Sequence, residues 1–154
     1  MPSPSSEPDV ARMLARAVRE CPPGHDAWLG QGIAQLLSPE LTHQRTPSPG
    51  AIAFVETSRV SPAGLAADCA APQTIRTVIG LSNAAIDSIG DLIGAHDRAG
   101  VGLRRLICPF AVFEFGVSGP IVREVARGIT AADLQARLSF PLWAGPDLQE
   151  LMAP

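Results

Sequence analysis

The chain has 154 residues, 46% hydrophobic and 18% charged, with a net charge of −3. That is one domain's worth of chain with enough apolar material for a packed core, which excludes global disorder. The acidic balance argues against general phosphate-backbone binding, and because all twelve basic residues are Arg, with no Lys, a Schiff base and a P-loop lysine are excluded within this chain.

Cys21, Cys69 and Cys108 are widely spaced, and no CxxC or His/Cys spacing suggests a metal site. They read as reduced thiols. No apolar run approaches the ~20 residues of a membrane helix, and no basic segment leads into an apolar one. The expected setting is cytoplasmic, with no membrane and no nucleic-acid partner.

Residues 1–8 read as a disordered leader, and residues 9–154 as a single domain. Val10, Met13, Leu14, Ala17 and Val18 form one face of a helix, with Arg12, Arg16 and Arg19 off it. Asp9 is its expected N-cap and Pro22-Pro23-Gly24 its stop. Ala27 to Leu29 is a short strand running into Gly30-Gln31-Gly32 and a second helix, about Ile33 to Leu37. A polar connector over residues 42–50 precedes a strand from Ala51 to Thr57. After a turn at Ser61–Gly64 come a strand at Ile75–Leu81 and a helix over Ala84–Ile93 that Gly90 weakens. Strands at Leu103–Cys108 and Ala111–Phe115 are split by Pro109. A turn at Gly116–Gly119 leads into Ile121–Val125. Thr130 and Asp133 form a capping box before a helix to about Leu138, and a last helix is expected near Pro146. This order implies a single-domain, open, mixed and mostly parallel α/β sheet flanked by helices. Period-2 geometry then puts Phe113 and Phe115 on one face, Val112 and Glu114 on the other.

The stretch AVFEFGVSGPIVREVARGITAADLQARLSFPL, Ala111 to Leu142, carries the strongest pattern. It resembles the C-terminal end of the beta subunit of family I coenzyme A transferases, of the glutaconate or 3-oxoacid type. That family has an AVFDF-like strand, a turn, a strand ending E-x-x-P-G-V-T, a helix and a G-F-x-L segment. Arg127 stands in place of the usual Pro and Ser139 in place of the usual Gly. Met13 to Ile33 is similar to the family's first helix and its L-G-x-G-I turn. Ala51 to Gly64 is similar to a D-x-x-F-L-G-A-x-Q-V-D segment. The E-N-G-x-x-G-x-G signature of one branch does not occur.

The resemblance implies a shortened beta-type subunit that processes acyl-CoA by CoA transfer, or by a hydrolytic or decarboxylative variant. It would complete the site of a larger alpha-type subunit that carries the catalytic Glu, or self-associate. Coenzyme A would be a substrate, with no resident cofactor or metal. Two other readings stay open: a non-catalytic subunit that stabilises a partner, and a stand-alone biosynthetic enzyme on the same fold. Whether the chain is an enzyme by itself is therefore open at this point. A shortened sheet is also expected to leave an apolar face or strand edge for an interface.

Glu56, at a strand end, is the candidate catalytic residue, because a carboxylate there can attack a thioester. The bland alternative is a solvated strand-end Glu. Its sequence neighbours lack the Gly-rich character that lets CoA approach, so a contact role is expected rather than a nucleophilic one. Gly30, Gln31, Gly32, Thr57 and Ser58 are the candidate substrate-binding residues. The Gly turn serves either to present backbone N–H groups or to pack a strand on a helix. Cys69 and Cys108 read as core thiols rather than nucleophiles. Arg104-Arg105 faces either CoA phosphates or solvent. His25, His43 and His96 stand alone, and His25 with Asp26 is not expected to work as a dyad.

Overall fold

The computed structural model describes residues 7–43, 50–94 and 100–151. Helix α1 (Glu7–Val18) comes first, then β1 (Ala27–Leu29), a 3-10 segment (Gly32–Leu37), β2 (Ile52–Glu56), β3 (Leu65–Ala66) and β4 (Thr77–Leu81). A 3-10 turn (Ile86–Ser88) runs into α2 (Ile89–Leu92). β5 (Val101–Gly102), β6 (Arg105–Ile107), β7 (Ala111–Gly116), β8 (Gly119–Val125), α3 (Ala131–Gln135) and β9 (Trp143–Glu150) complete the order.

Seven strands form one sheet in the order β1-β2-β4-β6-β7-β8-β9. The first four run parallel, β6-β7-β8 antiparallel, and β9 is again parallel to β8. The mixed, mostly parallel α/β sheet is therefore as expected. β3 and β5 make a small separate ribbon.

Alternation along each strand builds two cores, one per sheet face. In β2, Ile52 and Phe54 join Met13, Ala17 and Leu37 beneath α1 and the 3-10 segment. Ala53 and Val55 turn the other way, toward Ile89, Leu92 and Leu106. Burying a side chain such as Phe54 stabilises the fold by about 1.5–3 kcal/mol. Phe113 and Phe115 pack into the second core while Val112 joins the first, as the period-2 pattern requires.

Three local expectations are corrected. α1 begins at Glu7, two residues before Asp9. Of the proposed leader and connector, residues 1–6 and 44–49 lie outside the described residues, as does His96. Arg16 is not off the buried face but 5% exposed, because Glu124 reaches it from β8 and Glu20 from the turn that follows α1. The region near Pro146 is strand, not helix. It pairs with β8 through a register shift between Val122–Ala144 and Glu124–Gln149 that takes in Pro146. A residue with no N–H fits where the ladder is already broken.

The capping box forms as expected. The Thr130 side chain accepts from the Asp133 N–H at 3.1 Å, and the Thr130 N–H donates to the Asp133 carboxylate at 2.8 Å. The helix it starts ends at Gln135, short of Leu138.

Candidate active site

Parallel strands end together, and the loops that leave them meet above that edge. The carboxyl ends of β1 and β2 open into a cleft of about 910 Å³, lined by residues 28–32, Val55, Glu56 and residues 67–70. The size is within the range of small-molecule sites. Four of the expected residues, Gly30, Gln31, Gly32 and Glu56, meet there.

Glu56 ends β2 and its side chain is exposed to the cleft. Its Oε1 accepts a hydrogen bond from the Ile33 N–H at 2.8 Å, in the first turn of the 3-10 segment. Among the described residues Oε2 has no donor. Glu56 has no glycine beside it in sequence, but one from another part of the chain, Gly32, lies against it. Gly32 adopts φ +81°, and a Cβ there would lie 2.7 Å from Glu56 Oε1. Only a residue without a side chain lets the carboxylate sit where it does.

The Gly turn is less open than the sequence suggests. The Gly30 N–H donates to Phe54 O at 2.9 Å, and a Cβ on Gly30 would meet that same oxygen at 3.2 Å. Gln35 ties down the carbonyls of Leu29 and Gly30 at 3.1 and 2.9 Å. Gly30 therefore serves close packing of the turn on β2, and the Ile33 N–H is used by Glu56 rather than held open.

Thr57 and Ser58 do not line the cleft; they anchor a residue that does. Asp68 accepts from the Thr57 hydroxyl, from the Ser58 N–H at 2.8 Å and from the Ser58 hydroxyl at 2.7 Å. Burial pushes the Asp68 carboxyl up, but these hydrogen bonds outweigh it and hold it below its ordinary value. Sequence reasoning did not single out Asp68. The only available signal was a carboxylate in a polar loop, which is common.

Cys69, beside it on the cleft wall, is half-buried. Burial, with the Asp68 charge adding to it, pushes its thiol up to about 11. At neutral pH it is a thiol and not a nucleophilic thiolate. Cys108 is fully buried in the core.

Other candidates fall elsewhere. Arg105 opens β6 and binds Glu20 and Glu114 at 2.7 and 2.8 Å; neither it nor Arg104 lines the cleft. His25 is exposed, with its ring 3.3 Å from Gly50 O. Among the described residues no group of three potential ligands could hold a metal ion, and no helix is long and apolar enough to cross a membrane.

No family model and no curated protein matches the sequence. Solved structures do match the fold. The decarboxylase AibA/AibB superposes with a TM-score of 0.69 at 15% identity, over 95% of this chain and 89% of that one. The acyl-CoA transferase YdiF from Escherichia coli O157:H7, in a thioester complex with CoA, gives 0.65 at 16%, over 96% of this chain and 44% of that one. Glutaconate coenzyme A-transferase from Acidaminococcus fermentans gives 0.62 at 10%, over 99% and 92%. At these identities the likeness is one of fold.

Proposed function

We propose, from a fold shared with coenzyme A transferases and a decarboxylase, that this chain is an acyl-CoA-processing subunit with Glu56 as its reacting carboxylate. One observation carries the reading. The carboxylate stands at the end of a parallel strand, in a cleft of about 910 Å³, with Gly32 cut back against it. This revises the contact role expected from sequence, because Gly32 in the turn after β1 leaves room for the Glu56 carboxylate.

The chemistry is that of covalent carboxylate catalysis. Glu56 Oε2 attacks the thioester carbonyl, the C–S bond breaks and CoA leaves as thiolate, giving a mixed anhydride. The thiolate then attacks the Glu56 carbonyl carbon, releasing the acid as carboxylate and leaving a glutamyl-CoA thioester. An incoming carboxylate completes transfer by the reverse steps; water would give hydrolysis. The Ile33 N–H holds Oε1, which orients the carboxylate and leaves Oε2 for attack.

A larger alpha-type subunit, or a second copy, completes the site in this reading. It rests on the family resemblance. The test is incubation with acyl-CoA, alone and with any co-purifying subunit, then peptide mass spectrometry. A glutamyl-CoA adduct on Glu56, with turnover lost by several orders of magnitude in Glu56→Gln, is the expected result. Full turnover in Glu56→Gln would refute it.

A further inference from the structure

The cleft's lining is one-sided in charge. Two carboxylates, Glu56 and Asp68, stand on it, and no Arg or His of the described residues does. The rest is neutral: the Gln31 carboxamide, apolar or small residues such as Trp28, Leu29, Val55 and Ala67, and the thiol of Cys69. Arg59, the nearest cation in sequence to Glu56, is not on the lining.

Of the two carboxylates, only Glu56 is needed for the chemistry proposed above. Asp68 is fixed by three donors from Thr57 and Ser58, the two residues that follow Glu56. Those bonds commit both of its oxygens and favour its ionised form. It therefore presents a permanent negative charge without a free donor for a ligand carboxylate.

We infer that Asp68 makes this cleft selective for acyl groups with a neutral distal end, such as short aliphatic chains, over acyl groups that carry a second carboxylate. The inference rests on the acyl-CoA reading and deepens it. A second, distal carboxylate on the acyl group meets the Asp68 charge and finds no cation among the described residues of the lining. It sheds water with only the neutral Gln31 carboxamide there to compensate. At roughly 6 Å and an effective dielectric of about 40, repulsion from one fixed charge weakens binding about tenfold.

The test is calorimetric binding of butyryl-CoA and glutaryl-CoA to the full chain and to its complex with any co-purifying subunit. The two share the CoA moiety, so their ratio isolates the distal carboxylate. Butyryl-CoA should bind at least about tenfold more tightly, and raising the salt from 0.05 to 0.5 M should narrow the gap by screening. Asp68→Asn should narrow it further, and the salt series on the native chain keeps the test open should that variant misfold. Equal binding, or tighter glutaryl-CoA, overturns the selectivity and leaves the acyl-CoA reading intact. Binding of neither removes the acyl-CoA reading as well.

Discussion

Along the parallel half of the sheet, the interiors of β2 and β4 are apolar on both faces, and the only carboxylate there, Glu56, stands where a strand ends. Along the antiparallel half, β8 alternates buried and half-exposed residues, and Glu114, Arg123 and Glu124 stand inside the strands. Strands covered on both faces cannot hold charge, so polar chemistry is driven to their carboxyl ends. Strands with one partly open face can hold it, as Glu114 and Arg123 show, while the buried Glu124 is held by Arg16. Arg16 bridges Glu124 and Glu20, Arg105 joins Glu20 to Glu114, and Arg123 closes the chain on Glu114. Carboxylates in the first region stand in a cleft; in the second they hold α1 to the sheet. Substitutions in the two regions should therefore separate activity from stability.

The sharpest challenge is Arg16→Ala. It leaves Glu124 buried without its partner and should cost about 3–5 kcal/mol in denaturant unfolding. Burial alone would lower the Arg16 guanidinium, yet its two carboxylate partners outweigh that, so the guanidinium stays charged when folded. Arg16→Met with Glu124→Leu should recover most of the loss, since a packed apolar pair avoids the desolvation penalty. If either variant that remains folded changes acyl-CoA binding as much as stability, the two halves are not independent.

Gly32→Ala probes the other region. A left-handed conformation costs a residue with a Cβ about 1–2 kcal/mol. The new atom would also press on the Glu56 carboxylate and lift it off the Ile33 N–H. Gly24→Ala is the matched control: its φ is +84°, with nothing within 4 Å of the added Cβ. Both should lose similar stability, and only Gly32→Ala should lose turnover. Equal turnover in the two would detach Gly32 from the chemistry.

How much of this was legible in the sequence follows the same division. The β1–Gly turn–β2 unit could be read because each part has a local signature: an apolar run, a G-x-G, and an apolar run ending in Glu. The contact of Gly32 with Glu56 could not, since it joins residues 24 positions apart through strand pairing. Asp68 was invisible for the same reason, and its loop resembles any surface loop. Arg16 looked solvent-facing because helical periodicity knows nothing of Glu124, 108 residues away. β9 was missed because Pro146 and a polar composition argue against a strand, while tertiary pairing with β8 decides the outcome.

Thr130→Ala tests a purely local feature of the antiparallel half. Loss of the cap should cost about 1 kcal/mol. α3 has only five residues and contributes the buried Leu134 to the core, so fraying of its first turn should appear as faster amide exchange there. Acyl-CoA binding should not change. Weaker binding would mean that α3 communicates with the cleft.

The smallest effect is expected from Glu114, and its sign follows from linkage. Burial pushes the carboxyl up, but hydrogen bonds from Arg123 and Arg105 outweigh this and hold it below its ordinary value. The folded chain then takes up this proton at lower pH than the unfolded chain does. Its contribution is complete above the ordinary Glu value of about 4.3 and is lost as pH falls through the lower folded value. Because the pair is partly exposed, solvent screening keeps the contribution at the scale of surface ion pairs, about 0–1 kcal/mol. Glu114→Gln should lower stability slightly at neutral pH and flatten the acid limb of a stability–pH curve without abolishing it, since Asp68 is held down as well and titrates with the same sign. If Asp68→Asn flattens that limb while Glu114→Gln does not, the carboxylate in the cleft carries the acid stability and the division between the two regions fails.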